Sequence, residues 1–178
     1  MRPTSCRSTI SGRNRPHVTD AAAPEARAEE APPAPTDDEI LQRFLRTKNQ
    51  PTGSQTLGFR MVSVSQETMQ VEVAFEAKPE LVANPMRQVQ GGYLCAMLDE
   101  CMSVACMVAS KMTHVAPTVE MKTSFFRPAA FGPIKGVGRV VRWGKTIAFT
   151  EGELYDGEGR LLAKATGTAV PTPFKNYK

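Results

Sequence analysis

Histidine is nearly absent from this 178-residue chain, which has two (His17 and His114) beside four cysteines and one tryptophan. With so few histidines and no C-x-x-C pair, no zinc ligand set is recognisable. No G-x-S-x-G run occurs, so a serine nucleophile elbow is excluded. Gly144-Lys145-Thr146 is no phosphate loop, because Gly138 lies one residue too far upstream and a strand pattern follows where a helix is needed. Cys95, Cys101 and Cys106 fall in one apolar segment and read as small hydrophobes of a reducing compartment, apart from Cys6 near the N-terminus. Neither a metal nor a redox cofactor is expected.

Basic residues exceed acidic ones by a formal charge of +4, but they are scattered and not interleaved with aromatics. That distribution argues against a nucleic-acid surface and suits a small anionic ligand. At 41% hydrophobic and 22% charged, the composition is that of an ordinary globular protein, and the length suits one core.

Residues 1–38 hold six prolines and almost no large apolar side chains, and are expected to form a disordered leader. Arg2, Arg7, Arg13 and Arg15, with no acid before residue 20, also fit a mitochondrial transit peptide, although the apolar periodicity of one is missing. A cytoplasmic protein is the first expectation. Thr36-Asp37-Asp38-Glu39 offers N-cap and acidic first-turn residues for a short helix over 39–50, with Ile40, Leu41, Phe44 and Leu45 on one face.

The main domain is expected over 51–174. From Thr56 the pattern alternates: Leu57, Phe59 and Met61, then Met69, Val71, Val73 and Phe75, make two strands. Gly91 to Met112 is apolar nearly all round and has no proline, which makes it a buried helix. It does not span a membrane, because Asp99 and Glu100 sit near its middle at about 2.5 to 3.5 kcal/mol each. Four alternating segments follow, Thr118–Phe126, Ile134–Trp143, Thr146–Tyr155 and Arg160–Val170, with turns at Gly144-Lys145 and Asp156–Gly159 and a stop at Pro171 and Pro173. Six mostly antiparallel strands and one all-apolar helix imply an α+β fold in which a curved sheet wraps the helix, a hotdog arrangement.

Asp99 is the residue whose presence needs a reason, since a carboxylate on an apolar helix is paired, hydrated or used. Gly91-Gly92 at the helix start would expose backbone N–H groups suited to an oxyanion. Eight residues of helix span about 12 Å, so Gly91 and Asp99 of one chain cannot reach the same carbonyl. If they act together, two chains supply one site and a homodimer is required. Ser103, one turn beyond Asp99, shares its face or bonds a helix carbonyl. Glu100 points about 100° away and is expected at an interface or in a salt bridge.

These residues resemble the hotdog thioesterases of the phenylacetate-pathway (PaaI-like) type, a group that includes the human thioesterase superfamily members. The resemblance rests on Asn84, on Gln90-Gly91-Gly92 with Asp99 eight residues after the first glycine, on Thr118-Val119-Glu120-Met121 through Phe125-Phe126-Arg127-Pro128, and on the run from Asp156 to Ala163. It covers roughly residues 55–170 and departs at Gln90, where the family has histidine. It implies hydrolysis of acyl-CoA, with Asp99 as general base or nucleophile, Gly91 polarising the carbonyl, Asn84 positioning carbonyl or water, and Thr118 orienting the water. Gln90 and Gly92 support the turn. Arg127, Arg142 and Lys145 are the candidates for the phosphates of coenzyme A, and Met97, Met102 and Phe126 for the acyl group. Dimers are expected to pair into dimers of dimers. The rival expectation is a hotdog module that binds acyl-CoA without hydrolysing it.

Overall fold

The structure is a computed structural model that describes residues 33–48 and 50–176. The leader expected over 1–38, with its arginines, Cys6 and His17, therefore lies almost wholly outside the described residues. Helix α1 runs Asp37–Arg46, two residues earlier than the expected boundary and four short of its expected end. Its start is set by a capping box. The Thr36 hydroxyl accepts from the Glu39 N–H at 3.3 Å, and the Glu39 carboxylate accepts from the Thr36 N–H at 2.8 Å. Its end follows from Thr47, which is extended and whose hydroxyl donates to the Arg43 carbonyl. Ile40 is the buried anchor of the apolar face.

A short helix that the sequence pattern does not announce, α2 (Thr52–Thr56), follows Pro51. It occupies the beginning of what reads as the first strand, so β1 is confined to Arg60–Ser65. Strand β2 (Gln70–Ala77) completes the hairpin, with Val71, Val73, Phe75 and Ala77 buried on alternate positions. A single turn, α3 (Pro79–Val82), leads to the central helix α4 (Gly91–Ala109). Helix α4 stops three residues before Met112 because Lys111 and Met112 take left-handed backbone angles, φ 55° and 62°.

Strand β3 (His114–Val115) pairs with β8 (Thr172–Pro173) in a small ribbon, so the chain past Pro171 makes one more pairing instead of ending the pattern. Strands β4 (Thr118–Phe125), β5 (Gly132–Trp143), β6 (Ala148–Tyr155) and β7 (Leu161–Ala169) agree with the expected segments to within two residues at each end. A 3-10 turn at Phe174–Asn176 closes the described chain.

The main sheet is antiparallel throughout, in the order β1-β2-β5-β6-β7-β4. The chain crosses from β2 through α4 to the far edge before returning to fill the middle. Helix α4 lies against the sheet, burying Leu94, Met97, Leu98, Cys101, Met102, Ala105, Cys106 and Val108. The contact is close because β5 has no side chain where the helix crosses it. A Cβ on Gly138 would sit 2.0 Å from the Cys101 carbonyl oxygen, and one on Gly136 would sit 2.5 Å from the Cys101 sulfur. Met97 and Met102 are spent on this core, where the Met102 sulfur accepts from the Thr150 hydroxyl at 3.2 Å, and neither opens onto the cavities described below. By length and composition α4 is apolar enough to cross a bilayer, but here it is the core helix of the sheet, with Asp99 and Glu100 midway.

Strand β4 is an edge. One side is paired to β7 and the other has no partner among the described residues. Val119 is 69% and Phe125 53% exposed along it. An edge strand of eight residues with exposed apolar side chains is a template for pairing with another chain.

Candidate active site

Helix α4 and strand β4 run side by side in opposite directions. The Gly91 end of α4 packs against Phe125 at the end of β4, where a Cβ on Gly91 would meet the ring at 3.4 Å. Midway, the Cys95 sulfur lies 3.7 Å from the Thr123 hydroxyl. At the other end, the Thr118 hydroxyl donates to the Asp99 carboxylate at 2.6 Å. This short contact is of the charge-assisted kind, and it holds one carboxylate oxygen of a half-buried Asp99. The second oxygen has no protein partner among the described residues.

At the helix start, the Gln90 side-chain oxygen caps α4 by accepting from the Gly92 N–H at 2.6 Å. A Cβ on Gly92 would lie 2.7 Å from that same oxygen, so a larger residue there would shift the Gln90 cap. Among the described residues no group accepts from the Gly91 N–H. It is thus the unpaired donor of a nineteen-residue helix, at the positive end of its dipole. Gln90, standing where histidine is usual, satisfies the neighbouring N–H and leaves this one available.

Asn84 is tied into its own loop through its side-chain oxygen. Its side-chain oxygen accepts from the N–H groups of Met86 and Gln88 at 3.0 and 2.9 Å, and its own N–H donates to the Gln88 carbonyl at 2.7 Å. It therefore closes the loop leading into α4, in which Arg87 is left-handed at φ 58°. Only its amide NH2 is left to meet a ligand. A shallow cleft does bring Asn84 together with Gly91, Phe125, Phe126 and Arg127, and the Arg127 guanidinium also donates to the Leu161 carbonyl at 2.9 Å.

Arg142 and Lys145 are not part of that cleft. They lie at the β5–β6 turn, and through the registers Trp143↔Ala148, Ala148↔Ala169 and Ala169↔Thr118 that turn belongs to the Asp99 end of the sheet. The Ser103 side chain makes no hydrogen bond among the described residues.

Among the described residues Glu100 makes no salt bridge, which was one of the two expectations for it, and it is half-buried. Its carboxylate accepts from the buried Ser54 hydroxyl of α2 at 2.7 Å, linking α2 to the central helix. Burial pushes this carboxyl above the ordinary range; the Ser54 hydrogen bond works in the opposite direction and the neighbouring Asp99 charge adds to the rise. Ser54 escaped the sequence reading because α2 is polar and has no apolar periodicity. The only available signal was Pro51 at a possible helix start.

The profile of the thioesterase superfamily matches residues 89–163, which span the helix start, Asp99, Thr118 and the strands from β4 to the start of β7. A phenylacetic acid degradation-related protein of Ralstonia eutropha JMP134 has 33% sequence identity, with a TM-score of 0.67 over 73% of this chain and 98% of that one. A Streptococcus mutans protein solved with acetyl-CoA shares the fold at 24% identity, with a TM-score of 0.56 over 65% of this chain and 89% of that one. A protein of Thermoplasma volcanium, assigned as an esterase by inference, is 38% identical over 79 residues, or 44% of this chain. That match spans 59% of the Thermoplasma protein's length. With its helix-wrapping sheet, its Gly91-to-Asp99 spacing and these relatives, the chain belongs to the thioesterase superfamily and has the hotdog fold.

Proposed function

We propose that this protein is a homodimeric thioesterase that hydrolyses acyl-CoA to a free carboxylic acid and coenzyme A, with each active site shared between two chains. The observation that carries this reading is the arrangement along the open edge of β4. Thr118, holding Asp99, stands at one end, and Phe125, packed on the unpaired Gly91 N–H terminus, stands at the other. Antiparallel pairing of β4 with its own copy about a two-fold axis sets Thr118 of one protomer opposite Phe125 of its partner. The 12 Å separation within one chain then becomes a short separation between chains, and two equivalent sites form.

In such a site the partner's Gly91 N–H and helix dipole polarise the thioester carbonyl and stabilise the tetrahedral oxyanion. The Thr118 proton is committed to Asp99, so Thr118 can meet a water only as an acceptor. A water donating one hydrogen to the free Asp99 oxygen and the other to Thr118 has its lone pair free for the carbonyl carbon. In the general-base route Asp99 takes the proton, the C–O bond forms, the C–S bond breaks and the thiolate of coenzyme A is protonated on leaving. Attack by Asp99 itself, through an anhydride that water then opens, uses the same atoms. The same pairing brings Arg127 of one chain to the end of the sheet where Arg142 and Lys145 of the other lie, a set of cations suited to the phosphates of coenzyme A. The acetyl-CoA bound to the Streptococcus mutans relative fits this choice of substrate.

A module that binds without hydrolysis has less support, because the Gln90 cap leaves the Gly91 donor unpaired and Asp99 is held by Thr118. The direct test is Asp99→Asn. Release of free thiol from acyl-CoA should fall by at least about a hundredfold with the fold intact. Near-normal release from the purified variant would refute the role of Asp99, and tight binding with no release by the unaltered protein would favour the binding module.

A further inference from the structure

A cavity of about 270 Å³ lies between α1, α2, α4 and the 3-10 turn at Phe174–Asn176, apart from the cleft at Gly91. Its walls are apolar, built chiefly from Phe44, Phe59, Val104, Met107 and Met112. The polar groups on it are Glu100 and Ser54, bonded to each other, with Arg43, Thr47 and Gln50 toward solvent.

We infer that this cavity receives the acyl group of the thioester, and that it selects uncharged apolar acyl groups of about ten carbon atoms. The inference rests on the shared-site reading above, and one observation with two arguments carries it. First, Glu100 on the cavity wall is the residue after Asp99 on the same helix, so the cavity opens about 100° around α4 from the attacking carboxylate. Second, a thioester has two arms. If the partner's Gly91 holds the carbonyl and the partner's Arg127 attracts the coenzyme A arm, the acyl arm leaves on the opposite side, toward α1 and α2 of the chain that supplies Asp99. Third, the volume is not quite twice the roughly 150 Å³ of a cavity that accepts benzene. That is room for a medium-length chain or a ring with a short arm, but not for a long-chain acyl group.

The chemistry of the wall adds an exclusion. Glu100 is satisfied by Ser54 in an apolar setting that already disfavours its charge, so an acyl group ending in its own carboxylate would bring a second anion to a site that resists the first. Met97 and Met102, the sequence-based candidates for this pocket, are core residues, and Phe126 is exposed beside Arg127 at the other end of α4.

The experiment is a hydrolysis profile over acetyl-, hexanoyl-, decanoyl-, palmitoyl- and glutaryl-CoA for the full-length protein, for Met107→Trp, which fills the cavity, and for Thr47→Trp at its exposed rim. Light scattering on each sample follows the oligomeric state. The unaltered protein should give its highest kcat/KM near decanoyl-CoA and discriminate against glutaryl- and palmitoyl-CoA. Both variants should lose at least about tenfold in kcat/KM for decanoyl-CoA while keeping acetyl-CoA hydrolysis, which also reports that they fold. An active protein whose chain-length profile is the same in both variants overturns this inference and leaves the shared-site reading standing. Variants that change the oligomeric state with no change of profile assign the cavity to a contact between copies and overturn it as well. If the unaltered protein hydrolyses none of the five esters, both readings fall.

Discussion

Replacing Gly91 with proline removes one hydrogen-bond donor and little else. Position 91 is the first residue of α4, where a missing N–H costs the helix nothing and the fixed φ of proline is already suitable. The residue before a proline must be extended, and Gln90 already is, at φ −69° and ψ 137°. The new Cβ would meet the Phe125 ring at 3.4 Å, an ordinary contact. Thermal stability should therefore change little. Catalysis should not survive so well, because a single oxyanion donor is worth about 2.7 to 4 kcal/mol, or a factor of about 10² to 10³ in kcat. Gly91→Ala adds the same Cβ but keeps the N–H, and should retain most of the activity. The assay is thiol release under saturating acyl-CoA, with melting curves on the same samples. A folded Gly91→Pro protein with normal kcat would refute the oxyanion role of this helix terminus, and equal losses in the proline and alanine variants would trace the effect to bulk.

Thr118→Val removes the donor to Asp99 and should lower kcat by about tenfold or more with KM little changed, while Thr118→Ser should restore it; steady-state kinetics separate the two. Glu100→Gln should raise the melting temperature at neutral pH. The carboxyl of Glu100 is raised in the folded state, so its favourable contribution is full below its ordinary value of 4.5 and is lost as pH rises through the raised value. The stability gain of the variant should thus shrink as pH falls toward 4.5, and a gap independent of pH would contradict the burial of that charge. Gly138→Ala should destabilise by about 3 kcal/mol or more in denaturant titration, since its Cβ would meet helix backbone at 2.0 Å and backbone cannot step aside.

Most of the fold was legible because its signals are local. The apolar run starting at Gly91, the alternation in β4 to β7 and the turns at Gly144 and Asp156 each follow from residues close in sequence. What was missed depends on contacts made across the chain. The order of the sheet puts β4 at an edge through a crossing that no periodicity records. Gly136 and Gly138 read as unremarkable strand glycines until Cys101 is laid on them. Helix α2 carries no apolar stripe, so the Ser54–Glu100 bond could not be anticipated. In the candidate site, Thr118 and Asp99 were singled out through the family resemblance, but the hydrogen bond between them was not anticipated. Nor was the use of the Asn84 oxygen inside its own loop, because spacing does not tell which way a side chain turns.

The most direct test of the shared site mixes two variants that are each inactive. Asp99→Asn chains supply a working Gly91 terminus, and Gly91→Pro chains supply a working Asp99. If the site spans two chains, refolding the two together in equal amounts makes half of the dimers mixed, each with one intact site. Acyl-CoA hydrolysis should then recover to about a quarter of the wild-type rate. Activity in the co-refolded sample no greater than the sum of the separate variants, with mixed dimers demonstrated by mass, would contradict the account.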